Sequence, residues 1–309
     1  MKRFILFIIT MKVCLIALHA SQIRPIPMSM EVDAKKVELG RKLFFDTILS
    51  KDNTVSCASC HDLQNGGDDG LKFSFGIYGQ EGEINSPTVY NAVFNFRQFW
   101  DGRAKDLKDQ ASFPIENPVE LGHSREALVK ILKSNESYVD LFSDIYKNGV
   151  SKDNISDAIA EFEKTLITPN APFDKYLKGD ENAITQKEKD GYKLFKYKGC
   201  IICHNGVNVG GNLFNKFGIY KDTKSTQMGR YNITKREEDR YVFKVPSLRN
   251  IELTAPYMHD GRFDTLKDAV EFMAKYQLGR YMEENEIDAI VAFLNSLTGE
   301  IPKSIKVLK

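Results

Sequence analysis

Apolar side chains recur along this chain at spacings of three and four, and strand-like alternation is rare, which predicts helices joined by loops. Val37 to Phe45 reads as a short helix, and its Gly40-Arg41-Lys42-Leu43-Phe44 is echoed by Gly191-Tyr192-Lys193-Leu194-Phe195. Ile155, Ile159, Phe162 and Leu166 form one apolar stripe; Ile287, Ile290, Val291, Leu294 and Leu297 form another. Each marks the buried face of an amphipathic helix. The echo continues without gaps. Pro87, Asn91, Asp101, Gly102, Arg103, Leu107, Lys108 and Asp109 recur 159 positions later as Pro246, Asn250, Asp260, Gly261, Arg262, Leu266, Lys267 and Asp268. The pattern predicts an all-α protein of two domains related by internal duplication, with long loops. Pro169, Pro172 and the Lys178-Gly179-Asp180 turn punctuate the junction, which divides the chain into 21–170 and 171–309.

The first twenty residues do not belong to that plan. Lys2 and Arg3 precede the apolar run Phe4 to Ile9, and a second run, Val13 to Leu18, ends at His19-Ala20. Residues 1–20 therefore read as a signal peptide, with a membrane anchor as the rival; the apolar run is short and broken by Lys12. The formal charge of +1 gives no basic footprint for nucleic acid, so none is expected as a partner.

Removing the leader also removes Cys14, and the four cysteines left fall in one motif used twice: Cys57-Ala58-Ser59-Cys60-His61 and Cys200-Ile201-Ile202-Cys203-His204. C-x-x-C-H is the attachment sequence for a c-type haem. The two thiols reach the porphyrin vinyl groups, and the histidine is aimed at the iron. Zinc knuckles are normally 15–20 residues apart, not the 143 positions that separate 57 from 200. A thioredoxin-like dithiol needs βαβ surroundings and no adjacent histidine. Export fits as well, because haem c is attached outside the bacterial cytoplasm.

The two copies differ where iron chemistry would need them to. Leu266, Ala269, Val270 and Met273 share one helix face, and a methionine there is a candidate sixth ligand, with Met258 its rival and Met228 and Met282 further choices. Core packing is the plain alternative for any of them. In the first copy Pro114 stands at the position of Met273, and no methionine or further histidine occurs between His61 and Gly122. That iron is expected to keep an open position. The same half supplies Gln110, Glu116 and Glu120 downstream of Trp100, the only tryptophan. A carboxylate over an open iron can move a proton from the near to the far oxygen of peroxide.

Ser86-Pro87-Thr88, Trp100-Asp101-Gly102-Arg103, Pro118-Val119-Glu120-Leu121-Gly122 and Pro256-Tyr257-Met258-His259-Asp260-Gly261 resemble, in order, the signatures of the bacterial di-haem cytochrome c peroxidases. The likeness runs from about Val37 to Leu297. It implies two covalently bound haem c groups, with His61 ligating the peroxide-reducing one and His204 and Met273 the electron-transfer one. It implies Glu120 as acid–base catalyst with Gln110 beside it, and Trp100 on the electron path between the haems. It implies one Ca²⁺ held by the Asn85 side chain and the carbonyls of Thr254 and Pro256, oxygen ligands that suit calcium. Hydrogen peroxide, a small cytochrome c or similar one-electron donor, a homodimer and a periplasmic location follow from the same likeness.

One loop departs from the family. Many members carry a histidine there that caps the peroxide-reducing iron until the other haem is reduced. Here Phe75-Gly76-Ile77-Tyr78-Gly79 places Ile77 at that point, and isoleucine cannot ligate iron. Tyr78 and His123 are the possible substitutes, although His123 beside Ser124 suits a surface or capping role at a helix start. Two other functions compete with the peroxidase reading: a two-haem electron carrier without catalysis, and a di-haem oxidase acting on a protein, which would put tyrosine in place of Met273.

Overall fold

The computed structural model describes residues 23–302 together with residue 305; the leader assigned to residues 1–20 lies outside them. Asp33 opens the first helix, α1 (Ala34–Phe45), by accepting hydrogen bonds from the Lys35 and Lys36 amides, two donors that a helix start otherwise leaves free. Besides the single helical turn Cys57–Cys60, the first half contains the longer helices α2 (Leu107–Glu116), α3 (Arg125–Lys133), α4 (Glu136–Ile145) and α5 (Lys152–Glu163). The second half contains α6 (Pro172–Leu177), α7 (Gln186–Tyr197), the strands β1 (Phe214–Lys216) and β2 (Val242–Lys244), and the helices α8 (Leu266–Phe272) and α9 (Glu284–Asn295). The protein is mostly helical. The two short strands pair antiparallel with Phe214 opposite Lys244, in the stretch between His204 and Pro246 where the second half is longer.

Each half is organised by one helix crossing. The buried face of α1 is Leu39, Gly40, Leu43 and Phe44. A β-carbon at Gly40 would stand 1.8 Å from the Ala158 carbonyl oxygen of α5 and 2.9 Å from Phe162 Cβ. The second half repeats this. A β-carbon at Gly191 of α7 would stand 1.8 Å from the Ala289 carbonyl oxygen of α9 and 2.9 Å from Phe293 Cβ. Only glycine lets these backbones touch. Around the first crossing pack Leu43, Leu128, Leu132, Phe142, Ile155 and Ile159; around the second, Phe173, Phe195, Ile287, Ile290 and Leu297. Each such side chain contributes on the order of 1.5–3 kcal/mol by leaving water.

The 159-residue register of the sequence is also a register of backbone conformation. Asn91 and Asn250 are both left-handed, at φ 62° and 58°, as are Phe99 and Met258 at 66° and 73°. Isolated bridges join Gln98 to Ala104 and Tyr257 to Phe263. Asp101 pairs with Arg103, and Asp260 with Arg262. Leu107 and Leu266 each begin a helix, capped by Asp106 and Thr265. The copies part at Pro114 and Met273. Helix α2 runs on through Pro114. At Met273 the chain widens into a π turn, Met273–Gln277, closed by the Leu278 amide on the Met273 carbonyl at 3.1 Å. Such turns inside helices are frequent at functional sites.

The halves are joined by buried polar side chains. Asn91 Nδ2 and Asn250 Nδ2 both donate to Thr168 Oγ1, at 2.8 and 3.0 Å, and the Thr168 amide donates to Asn91 Oδ1 at 2.9 Å. Among the described residues no helix is long and apolar enough to cross a membrane.

Candidate haem sites

The two C-x-x-C-H segments fold alike. Cys57–Cys60 forms a single helical turn closed by the His61 amide on the Cys57 carbonyl at 3.0 Å; the His204 amide meets the Cys200 carbonyl at the same distance. All four thiols are free. His61 Nδ1 lies 3.3 Å from the Gly67 carbonyl, and His204 Nδ1 lies 3.3 Å from that of Val209. A carbonyl only accepts, so each Nδ1 carries the proton and each Nε2 lone pair is left for a metal. Burial keeps both rings neutral by lowering their pKa values, that of His204 to about 4.

Each segment faces its own cavity. Around the first stand Gln110, Pro114 and Glu120 with Cys57, Cys60 and His61. Around the second stand Met258, Met273 and Met282 with Cys200, Cys203 and His204. Met228 lies elsewhere, its sulfur accepting a hydrogen bond from Arg240 at 3.2 Å. Three thioethers thus approach one cavity and none lines the other.

Glu120 is one of four glutamates around the first cavity, with Glu81, Glu83 and Glu163. Burial raises its carboxyl pKa, opposed by a hydrogen bond from Asn117 and by the Arg103 guanidinium. Asn117 Nδ2 holds Oε1 at 2.6 Å, which leaves Oε2 to carry a proton. Glu116 is not in the cavity wall; it pairs with Arg125 at 2.9 Å. The Glu120 loop is strapped from outside by residues 76–80. The Ile77 amide donates to the Glu120 carbonyl at 2.9 Å, and Gln80 Nε2 donates to the Pro118 carbonyl at 3.1 Å. The Ile77 side chain is buried against Gly122 rather than in the cavity wall, while Tyr78 points to solvent at 67% exposure. His123 is buried, not on the surface, and is hydrogen-bonded to the Ser50 backbone. Ser124 caps α3 instead.

Asn85, Ser86, Pro87, Thr88 and Trp100 line both cavities, so they form a shared wall. Trp100 is fixed in it by two bonds. Its Nε1 donates to the Asn85 carbonyl at 2.9 Å, and its own carbonyl accepts from the Lys244 amide at 2.7 Å.

The remaining polar groups fit a porphyrin. No cluster of three or more His, Cys, Asp or Glu that would hold a bare metal occurs among the described residues; two thiols and one imidazole per cavity suit a metal that arrives in its own ring. Lys244 lines the second cavity, burial pushes its amine down to about 8, and among the described residues no acid pairs with it. A buried cation calls for an anion, and porphyrin carboxylates supply one. In the first cavity Glu163 Oε2 has no partner, and burial pushes its carboxyl up to about 8. The residues assigned to calcium, Asn85, Thr254 and Pro256, line the second cavity together. Asn85 Nδ2 donates to the Leu71 carbonyl at 3.0 Å, which leaves its Oδ1 to accept a cation. Beside them Asp68 Oδ1 is buried without a partner, an orphan that a cation would satisfy. Lys244, Glu163 and Asp68 were not among the residues singled out by sequence. Nothing local marks them, since each reads as an ordinary loop or surface charge until the fold encloses it.

Fold and site together define a mostly helical c-type cytochrome with two separate haem-attachment cavities. A family described as di-haem cytochrome c peroxidase matches residues 34–182. The chain is 49% identical over 283 residues to the cytochrome c peroxidase Ccp of Escherichia coli (strain K12), a match that takes in 90% of this chain and 61% of that protein. It is 50% identical over 283 residues to the cytochrome c551 peroxidase of Nitrosomonas europaea, covering 91% of this chain and 85% of that one. Among solved structures, a MauG-like protein associated with microbial copper homeostasis aligns at a TM-score of 0.79 and 25% identity, over 93% of this chain and 95% of its own. The chain belongs to the di-haem cytochrome c peroxidase family, and membership implies two haem c groups.

Proposed function

We propose that this chain reduces hydrogen peroxide to water with electrons from a small cytochrome c or a similar donor, in the balance H2O2 + 2 e⁻ + 2 H⁺ → 2 H2O. The observation that carries this reading is the asymmetry of the cavities: three methionines line one and none the other, where Glu120 stands with a raised carboxyl pKa. When bound, the haems supply an iron that takes peroxide and a second iron that stores an electron. Glu120 Oε2 takes the proton from the near peroxide oxygen and returns it to the far one, so that water leaves. Asn117 fixes the carboxyl, Gln110 lines the same wall, and Trp100 spans the partition that electrons cross. His61 and His204 would each hold an iron through Nε2, and Met273, at the head of the π turn, would bind the second iron through its sulfur. Asn85, Thr254 and Pro256 hold one Ca²⁺.

The same reading takes residues 21–170 and 171–309 as two cytochrome c-like domains derived from one ancestor, a view supported by the shared 159-residue register. It places the enzyme in the periplasm after loss of residues 1–20, and as a homodimer. Because Ile77 is buried outside the first cavity wall, it cannot cap the iron, and the ferric enzyme needs no reductive release before it meets peroxide.

The spin state of each iron in the oxidised holoprotein, followed by peroxide addition with reduced cytochrome c, tests the proposal. One high-spin iron, one low-spin iron with a methionine signature, and turnover without pre-reduction are expected. Met273→Ala should abolish the methionine signature, whereas Met258→Ala should keep it. Two six-coordinate irons in every redox state, with no turnover, would leave only an electron carrier.

A further inference from the structure

Asp68 lies in the glycine-rich turn that follows the first haem motif. It is 2% exposed, and its Oδ1 has no hydrogen-bond partner. Among the described residues no cation offsets it. Burial pushes its carboxyl up to about 7, against a hydrogen bond from its own backbone amide, and the charged groups that act on it, Asp69 and Asp62, are both acidic. A carboxylate kept in this way is costly unless something positive completes its surroundings.

Three observations place that something. A β-carbon at Gly66 would stand 2.9 Å from Asp68 Oδ1 and 2.6 Å from the Leu253 carbonyl oxygen. The orphan oxygen and the Leu253–Pro256 turn therefore face each other across a residue with no side chain. A β-carbon at Gly70, two residues past Asp68, would stand 3.9 Å from the Ala255 carbonyl oxygen, between Thr254 and Pro256. Asp68 also lines the same cavity as Asn85, Thr254 and Pro256. Those three offer a side-chain amide oxygen and two carbonyls, all neutral. Calcium takes six to eight oxygens, and the number of charged ligands sets how tightly it is held.

We propose that Asp68 is the charged ligand of the calcium site, reaching the ion directly or through one bound water. The inference rests on the calcium reading above and adds to it the residue that balances the cation.

The test uses holoprotein carrying both haems, stripped with EGTA and titrated with CaCl2 by calorimetry. Asp68→Asn keeps the shape and removes the charge, and its Kd should rise about 10–100-fold. Asp69→Asn, next door but with its Oδ1 engaged by the Leu71 amide at 3.0 Å, should raise Kd far less. Thermal unfolding gives a second readout that a merely structural role would not move. In EGTA the Asp68→Asn protein should melt no lower than the parent, because an uncompensated buried charge is gone, while the gain in Tm on adding CaCl2 shrinks. Equal calcium affinity in parent and Asp68→Asn, or a melting temperature in EGTA that falls in the variant, overturns the role of Asp68. A parent that takes up no calcium overturns the calcium reading itself.

Discussion

At Glu120 burial pulls the carboxyl towards its protonated form, while Asn117 and Arg103 pull it back. A proton acceptor works only when deprotonated. Its raised pKa therefore puts the acid limb of kcat/KM above the ordinary glutamate value of about 4.3, with activity rising as pH climbs through it. Glu120→Gln should remove that limb and lower the rate about 10²–10⁴-fold. Asn117→Ala deletes the bond that favours the charged form, so its limb should move to still higher pH, which a pH–rate profile reads directly. Residues of this kind were legible because they come with spacing and neighbours: two thiols and an imidazole in five positions, a carboxylate where no iron ligand is available. Lys244 and Glu163 were not. A lysine in a short strand and a glutamate beside an apolar stripe acquire meaning only when a cavity closes around them, and no spacing announces that.

Helices carry a different kind of information. The stripes of α5 and α9 are visible in the sequence, and so are residues 37–45 of α1 and the echo at 191–195 inside α7, but Leu166 and Leu297 lie past the helix ends and pack into the core all the same. The start of α3 was read at Ser124, but its extent and helix α4 were not read from the sequence. The repeated glycine in Gly40-Arg41 and Gly191-Tyr192 signalled only an echo, because a helical glycine ordinarily reads as a weakness of about 1 kcal/mol. Its reason is the crossing, where a methyl group would overlap a carbonyl of the facing helix. Gly191→Ala should therefore destabilise the protein by about 1–3 kcal/mol or more, against the usual helix-propensity gain, as denaturant unfolding of the holoprotein would record. The π turn at Met273 was not legible either, since the residues that follow it would serve equally well in a regular helix.

Across the whole molecule the 159-residue register of the sequence returns as a register of backbone conformation, but the joints were not legible. Arg249 and Asp174 form an ion pair with no exposed side-chain surface, at 2.7 Å. Arg249 also donates to the Arg24 carbonyl at 2.8 Å, and Asp174 accepts from the Ile26 amide at 3.2 Å, so the pair pins the leading segment to the second half. Removing one partner leaves a bare buried charge. Arg249→Met alone should cost about 3–5 kcal/mol, and a double replacement of both by apolar residues should recover most of it, measured by thermal melts of the single and double variants.

The partition of Asn85 to Thr88 and Trp100 is a single layer of protein with a chamber on either side. Whatever displaces it towards one chamber withdraws it from the other. A substitution in that layer should therefore disturb the absorption spectra of both haems rather than of one.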